Sequence, residues 1–214
     1  MKIYFVRHGE SEANVGPLVQ GPDEPLTQNG VKQATDVAKR ISRISVDTII
    51  SSPEVRAKNT AEIISQKINK PVEFNDLLVE FVKPSVIIKR PKKDPLVKEI
   101  KKILKDNFHV TGWKHSDEEN FEDLKNRAIN LLDFLSKRKE ENVVVVTHGI
   151  FMRMLVAVAI MGRDLTSREY WKFFVGLGLD NTGITILKSN QIDEKYDDVA
   201  PWELVTWNDH SHLS

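Results

Sequence analysis

Lys2-Ile3-Tyr4-Phe5-Val6-Arg7-His8-Gly9-Glu10 decides how this chain is read: a short apolar run ends on an arginine and a histidine. A run of that length with β-favouring residues predicts a buried strand over Lys2–Val6. It places a guanidinium and an imidazole at the strand's carboxyl end. In open α/β sheets ligands bind at that edge, beside helix N-termini. Arginine offers a planar fork of donors suited to phosphate, and histidine can act as nucleophile or general base. A strand that simply ends on two polar residues is the plain alternative, so the rest of the chain must decide.

Working outward, strand and helix patterns alternate. Thr27 is placed to cap a helix whose apolar positions Val31, Ala34, Val37, Ala38 and Ile41 recur at helical spacing. Asp47–Ser51 reads as a second strand. Ser52 and Pro53 read as cap and first residue of a helix through Ala57, Ala61, Ile64 and Ile68. Asn142–Thr147 holds four consecutive valines, the pattern of a strand covered on both faces. A helix is expected from about Ile150, with later strands at Ile184–Leu187 and Leu204–Thr206. This alternation predicts an α/β fold with a mainly parallel sheet between helices.

At 214 residues the chain can build one sizeable core, and a single domain over 1–214 is expected. Its 40% apolar and 29% charged content suits a soluble globular protein. Basic and acidic residues balance at 31 each, leaving no global field to favour nucleic acid or a membrane surface. With no cysteine, disulfides, thiolate metal sites and a cysteine nucleophile are excluded. The N-terminus does not read as a signal peptide. The apolar run Ile150–Met161 contains Arg153 and is too short for a bilayer, so a cytoplasmic location is expected.

The rhythm breaks at a basic, proline-containing insertion, about 83–115. Between Lys83 and Lys105 it carries nine basic residues against Asp94 and Glu99, with prolines at 84, 91 and 95. Asp94-Pro95 predicts the start of an amphipathic helix. A solvated basic face is the plain expectation; a lid over an anionic substrate is the functional one.

Three further features share the geometry of the first. Arg56 falls in the first turn of the helix after Asp47–Ser51, His148-Gly149 follows the valine strand, and Asn181-Thr182-Gly183 precedes the Ile184 strand. Two arginines, two histidines and amide donors at one sheet edge would make a site for a tetrahedral dianion. The pairs His210/His212 and His109/His115 have no carboxylate cluster at ligand spacing, so no metal site is expected.

The chain resembles the histidine phosphatase superfamily, in its phosphoglycerate-mutase-like branch. The resemblance rests on pieces running in family order over residues 2 to about 187. They are Arg7-His8-Gly9-Glu10-Ser11-Glu12-Ala13-Asn14, Gln20-Gly21, Pro25-Leu26-Thr27-Gln28-Asn29-Gly30 and Ser51-Ser52-Pro53-Glu54-Val55-Arg56-Ala57 with Thr60-Ala61. Leu78-Val79-Glu80-Phe81, Glu119-Asn120-Phe121 and Thr147-His148-Gly149 complete them. It implies a three-layer α/β/α sandwich with one phosphate pocket. His8 would be the nucleophile that becomes phosphohistidine, with Arg7, Arg56 and His148 clamping the phosphoryl oxygens and Asn14 helping to hold them. Gln20, Gly21 and Asn181 are further candidates for the phosphate site. Glu80, placed at a strand end, matches the acid that protonates the leaving alcohol.

After Glu80 the family pattern is lost. Many relatives continue into a Gly-rich, Trp-containing stretch, where this chain has Phe81-Val82-Lys83-Pro84-Ser85. The Tyr-Gly segment and paired-arginine loop of cofactor-dependent phosphoglycerate mutases are missing too, with only Lys89-Arg90 and Lys92-Lys93 as substitutes. The expectation is therefore a metal-independent, cofactor-free phosphatase acting on a small phosphomonoester. A mutase is the alternative, and a catalytically weak phosphate-binding module is the alternative of another class.

Overall fold

The structure, a computed structural model, describes residues 1–189 and 202–213. In chain order its elements are β1 (Lys2–Arg7), α1 (Glu12–Val15), α2 (Gln28–Ile41), β2 (Thr48–Ser51), α3 (Val55–Ile68) and β3 (Val72–Phe74). Then follow α4 (Pro95–Asn107), α5 (Phe121–Ser136), β4 (Asn142–Thr147), α6 (Gly149–Met161), α7 (Ser167–Gly176), β5 (Ile184–Ser189) and β6 (Trp202–Asp209). The strands form one sheet in the order β3-β2-β4-β1-β5-β6. Its first four members are parallel, and β5 and β6 add antiparallel pairs at one side.

Strand residues point alternately to opposite faces, and the core divides accordingly. Ile3, Phe5, Val143 and Val145 pack with Leu124, Leu131, Phe151 and Leu155 of α5 and α6. Tyr4, Val6, Val144 and Val146 pack with Val37, Ile41, Ala57 and Ile64 of α2 and α3. Each helix pair thus covers one face, giving the three-layer sandwich. The apolar run at Ile150–Met161 is α6, buried against the sheet. No helix among the described residues is long and apolar enough to cross a membrane.

Two sequence expectations shift. The helix expected from Ser52-Pro53 starts at Val55, with Glu54 at the cap position. Ser52 still belongs to the sheet edge, because its N–H donates to Val146 O at 3.0 Å. The strand before Glu80 is only three residues long and ends at Phe74. A single 3₁₀ turn, Asp76–Leu78, carries the chain on to Glu80, so Glu80 is not a strand-end residue.

In the insertion, Asp94 caps α4 through Leu96 N–H at 2.9 Å, with Pro95 in the first turn. Val97 and Ile100 bury against Val19 and Ile87, while Lys98, Lys101, Lys102 and Lys105 face solvent. The backbone at Lys89 and Arg90 pairs with Val19, which holds Gln20-Gly21 next to the insertion.

Candidate active site

Because β1, β2 and β4 are parallel, their carboxyl ends lie along one edge. Arg7 pairs in register with Thr147, and Ser51 with Val146. One residue further on, His8, His148 and Ser52 come together. The two imidazole centroids are 5.1 Å apart.

His8 is held on every side. Its N–H donates to Thr147 O at 2.9 Å, and Nδ1 lies 2.7 Å from Gly9 O. A carbonyl can only accept, so Nδ1 carries the hydrogen and Nε2 keeps its lone pair. The Arg56 Nε–H points at that nitrogen from 3.2 Å. His8 is 2% exposed. Burial, then the charges of Arg56 and Arg7, push its imidazole well below the ordinary histidine value.

The loop that carries His8 explains two glycines. A Cβ on Gly9 would sit 2.5 Å from Gly30 O, and one on Gly30 would sit 2.0 Å from Glu10 O. Only bare backbone lets the loop lie on the first turn of α2. Thr27 fastens the contact, accepting Gly30 N–H at 2.9 Å while donating to Glu10 Oε1 at 2.7 Å. Such a cap is worth about 1 kcal/mol. Thr60 accepts Gly9 N–H at 3.0 Å and donates to Arg56 O at 2.8 Å, tying the His8 loop and α3 together.

Arg56, fully buried, also donates to Gly21 O at 2.9 Å and forms a short ion pair with Glu54. Glu54 Oε2 lies 3.4 Å from His148 Nε2, whose other neighbour is Ser52 Oγ at 2.8 Å. One carboxylate therefore bridges the guanidinium and the imidazole. Burial pushes the Glu54 carboxyl up, against the pull of Arg56. Arg7 donates to Leu179 O, and its Nε and His148 Nδ1 are buried with no hydrogen-bond partner among the described residues.

Asn14, Gln20 and Asn181 form a polar web beside the histidines. Gln20 Nε2 donates to Ser11 Oγ at 3.1 Å, and Ser11 N–H donates to Asn14 Oδ1 at 3.0 Å. The Asn181 amide donates to His8 O at 2.9 Å and to Asn14 Oδ1 at 3.3 Å. In this arrangement Asn181 holds the backbone of His8.

Glu80 sits on the N-terminus of α6. Its Oε1 accepts from Phe81 N at 2.9 Å and Phe151 N at 3.0 Å, and its Oε2 from Ile150 N at 3.2 Å. A carboxylate at a helix N-terminus is favoured by free N–H groups and the helix dipole. Arg127 fixes the segment by donating to Leu77 O, Val79 O and Glu80 O while paired with Glu119. Sequence reasoning gave Glu119 no role and missed Arg127, because the contacts span 47–50 residues.

A cleft of about 460 Å³ is lined by Gln20, Gly21, Glu54, Arg56, Glu80 and Lys83 among others, while His8 and His148 lie buried behind Arg56 and Glu54 rather than in its wall. The remaining histidines lie elsewhere. His212 contacts Thr182 Oγ1, and His210 contacts Asp180 and Asn208 O. Among the described residues no three His, Cys, Asp or Glu side chains are grouped to hold a metal.

The buried histidines set a pH dependence of stability. With His8 and His148 both depressed, the unfolded chain binds protons below about pH 6.5 that the native state refuses. Stability therefore falls with pH below that point, by up to about 1.4 kcal/mol per pH unit for each histidine. Glu54, whose value is raised, acts in the opposite sense at lower pH. Urea unfolding between about pH 6.5 and about pH 5 should show the slope, and His8→Asn should reduce it by about one proton.

Fold and site together define an α/β protein with two buried imidazoles and two arginines at the carboxyl edge of its sheet. The chain belongs to the histidine phosphatase superfamily (branch 1), whose model matches residues 3–210. It is 32% identical over 196 residues to phosphoserine phosphatase 1 of Hydrogenobacter thermophilus, covering 87% of this chain and 86% of that one. It is 30% identical over 163 residues to the probable phosphoglycerate mutase GpmB of Salmonella arizonae, covering 75% of each. The solved structure of Bacillus stearothermophilus YhfR superimposes with a TM-score of 0.81 at 25% identity, covering 100% of this chain and 99% of that one.

Proposed function

We propose that this protein is a phosphatase that hydrolyses a small phosphomonoester through a phosphohistidine on His8. The observation that carries this reading is the state of His8: Nδ1 is tied to Gly9 O, and a lone pair on Nε2 faces Arg56. The phosphoryl dianion displaces the Glu54 carboxylate from between Arg56 and His148, and Arg7 completes the clamp. Nε2 attacks phosphorus, the bond to the ester oxygen breaks, and Glu80, turned from the α6 N-terminus and having taken a proton from solvent, gives that proton to the departing alcohol. Water then attacks phosphorus, the P–N pair returns to Nε2, and the water's proton goes to Glu80. Fixed cations stabilise the charge spread over the equatorial oxygens, which is most of what phosphoryl transfer asks of a protein. In this reading no metal is required.

Hydrolysis is preferred to mutase chemistry because three of the four basic residues that could replace a paired-arginine loop are engaged elsewhere, and the fourth, Lys93, is exposed. Lys89 pairs with Asp23 and Arg90 with Asp94, while Lys92 donates to Ala13 O and Gly16 O. The curated relatives include both kinds, a phosphoserine phosphatase and a probable phosphoglycerate mutase. A panel of phosphomonoesters assayed with chelator present tests the reading. Release of inorganic phosphate is expected. Isomerised ester without phosphate release would establish the mutase, and binding without turnover the binding module.

A further inference from the structure

Lys83 stands apart from the other basic residues of the insertion. It lines the cleft between Glu80 and Ser85, in a segment pinned from both sides. Val82 N–H donates to Glu119 Oε2 at 3.1 Å, Glu119 N–H returns to Val82 O at 3.0 Å, and Ser85 N–H donates to Asp117 Oδ1 at 2.9 Å. The backbone under Lys83 is therefore fixed.

Two cations line this cleft, Arg56 and Lys83. Arg56 is committed to His8, Gly21 O and Glu54. Among the described residues Lys83 has no hydrogen bond or ion pair, although Glu80 and Glu54 act on it through space. The nearby acids are occupied: Asp23 by Lys89, and Asp117 by Ser85 N–H and Ser116 Oγ. A half-buried ammonium without a partner still carries a desolvation cost, and burial lowers the Lys83 value accordingly. A negatively charged ligand would relieve that cost.

Position says which part of the ligand. Lys83 follows Glu80, assigned above to the leaving oxygen, by three residues. Both line the same cleft, which on the phosphatase reading puts Lys83 on the leaving-group side. We propose that Lys83 is a specificity residue that binds a second anionic group, a carboxylate or a second phosphate, on the alcohol portion of the substrate. This rests on the phosphatase reading. A lysine suits the role as a compact point charge, in contrast to the bidentate forks that hold the phosphoryl oxygens.

Calorimetric titration in the non-hydrolysing His8→Ala background, with and without Lys83→Gln, using inorganic phosphate, methyl phosphate, 2-phosphoglycolate and a two-carbon bisphosphate tests it, with the single Lys83→Gln variant and wild type kept for turnover. Turnover of p-nitrophenyl phosphate is measured in parallel. Lys83→Gln should weaken 2-phosphoglycolate, the bisphosphate or both by about 10- to 100-fold, the scale of one charged hydrogen bond. It should leave inorganic phosphate, methyl phosphate and the aryl ester within about twofold. The ligand showing the larger loss identifies the second group. Equal weakening of all four would put Lys83 in the phosphoryl clamp and overturn the proposal. No change in any would make it a wall residue and overturn the proposal as well. Failure of wild type to turn over p-nitrophenyl phosphate, with these anions still bound in the His8→Ala background, would defeat the phosphatase reading, while the titrations still decide Lys83.

Discussion

His8→Ala should abolish turnover, with a loss of about 10⁶-fold if it follows the nucleophile deletions known in other covalent enzymes. Rapid quench of wild type with labelled substrate should trap phosphate that is acid-labile and base-stable, as expected for phosphohistidine. The variant should trap none. The sheet should survive, because His8 contributes to it through its backbone N–H bond to Thr147 O, which alanine keeps. What the variant loses is the acceptor facing Arg56 Nε and the donor facing Gly9 O. His148, 5.1 Å away, is the control. Its Nε2 is engaged by Ser52 and Glu54, so His148→Ala should slow phosphorylation yet still trap label. Near wild-type turnover by His8→Ala would remove His8 as nucleophile. Label persisting in that variant and lost from His148→Ala would pass the role to His148.

The frame of this site is written in short-range patterns, and those were legible. Four valines in a row fix a strand buried on both faces, and parallel register does the rest, bringing His8, Ser52 and His148 to one edge. What stayed hidden depends on partners far along the chain. Ser52 read as a helix cap because serine before proline usually is one. In the fold its hydroxyl contacts His148, 96 residues away, although it also receives Glu54 N–H at 3.3 Å. Glu54 is visible in the sequence only as a letter of the Ser51–Ala57 motif, and nothing local shows that it bridges Arg56 and His148. Arg127 gave no signal because its targets are backbone carbonyls of a distant loop. Lys83 vanished into a run of nine basic residues. Only packing separates it from Lys98, Lys101 and Lys102, which face solvent. The glycines at 9 and 30 were visible as motif letters, but the contact that requires them is between two loops.

Glu80→Gln should cut turnover of alkyl phosphomonoesters by about 10²- to 10⁴-fold, the range for a positioned general acid. p-Nitrophenyl phosphate should be far less affected, since its leaving group departs without a proton. The contrast between esters is the diagnostic, because a structural defect would slow both alike. The structure sharpens the test. Both Glu80 oxygens accept backbone N–H groups, so the carboxyl must turn from the α6 N-terminus to reach a leaving oxygen, which has to come within about 3 Å. Glutamine keeps one acceptor oxygen for that cradle but puts an amide where the second stood, so its stability must be measured beside its kinetics. Glu54 is the competing acid. It lines the same cleft, touches His148 and Arg56, accepts Glu80 N–H at 3.2 Å, and burial favours its protonated form. If Glu80→Gln slows both esters equally while Glu54→Gln slows only the alkyl ester, the proton comes from Glu54. Glu80 would then be the residue that holds the start of α6 in place beside His148. If Glu54→Gln instead tightens phosphate binding and leaves the ester contrast with Glu80, its carboxylate is the group that an incoming phosphoryl displaces from Arg56 and His148.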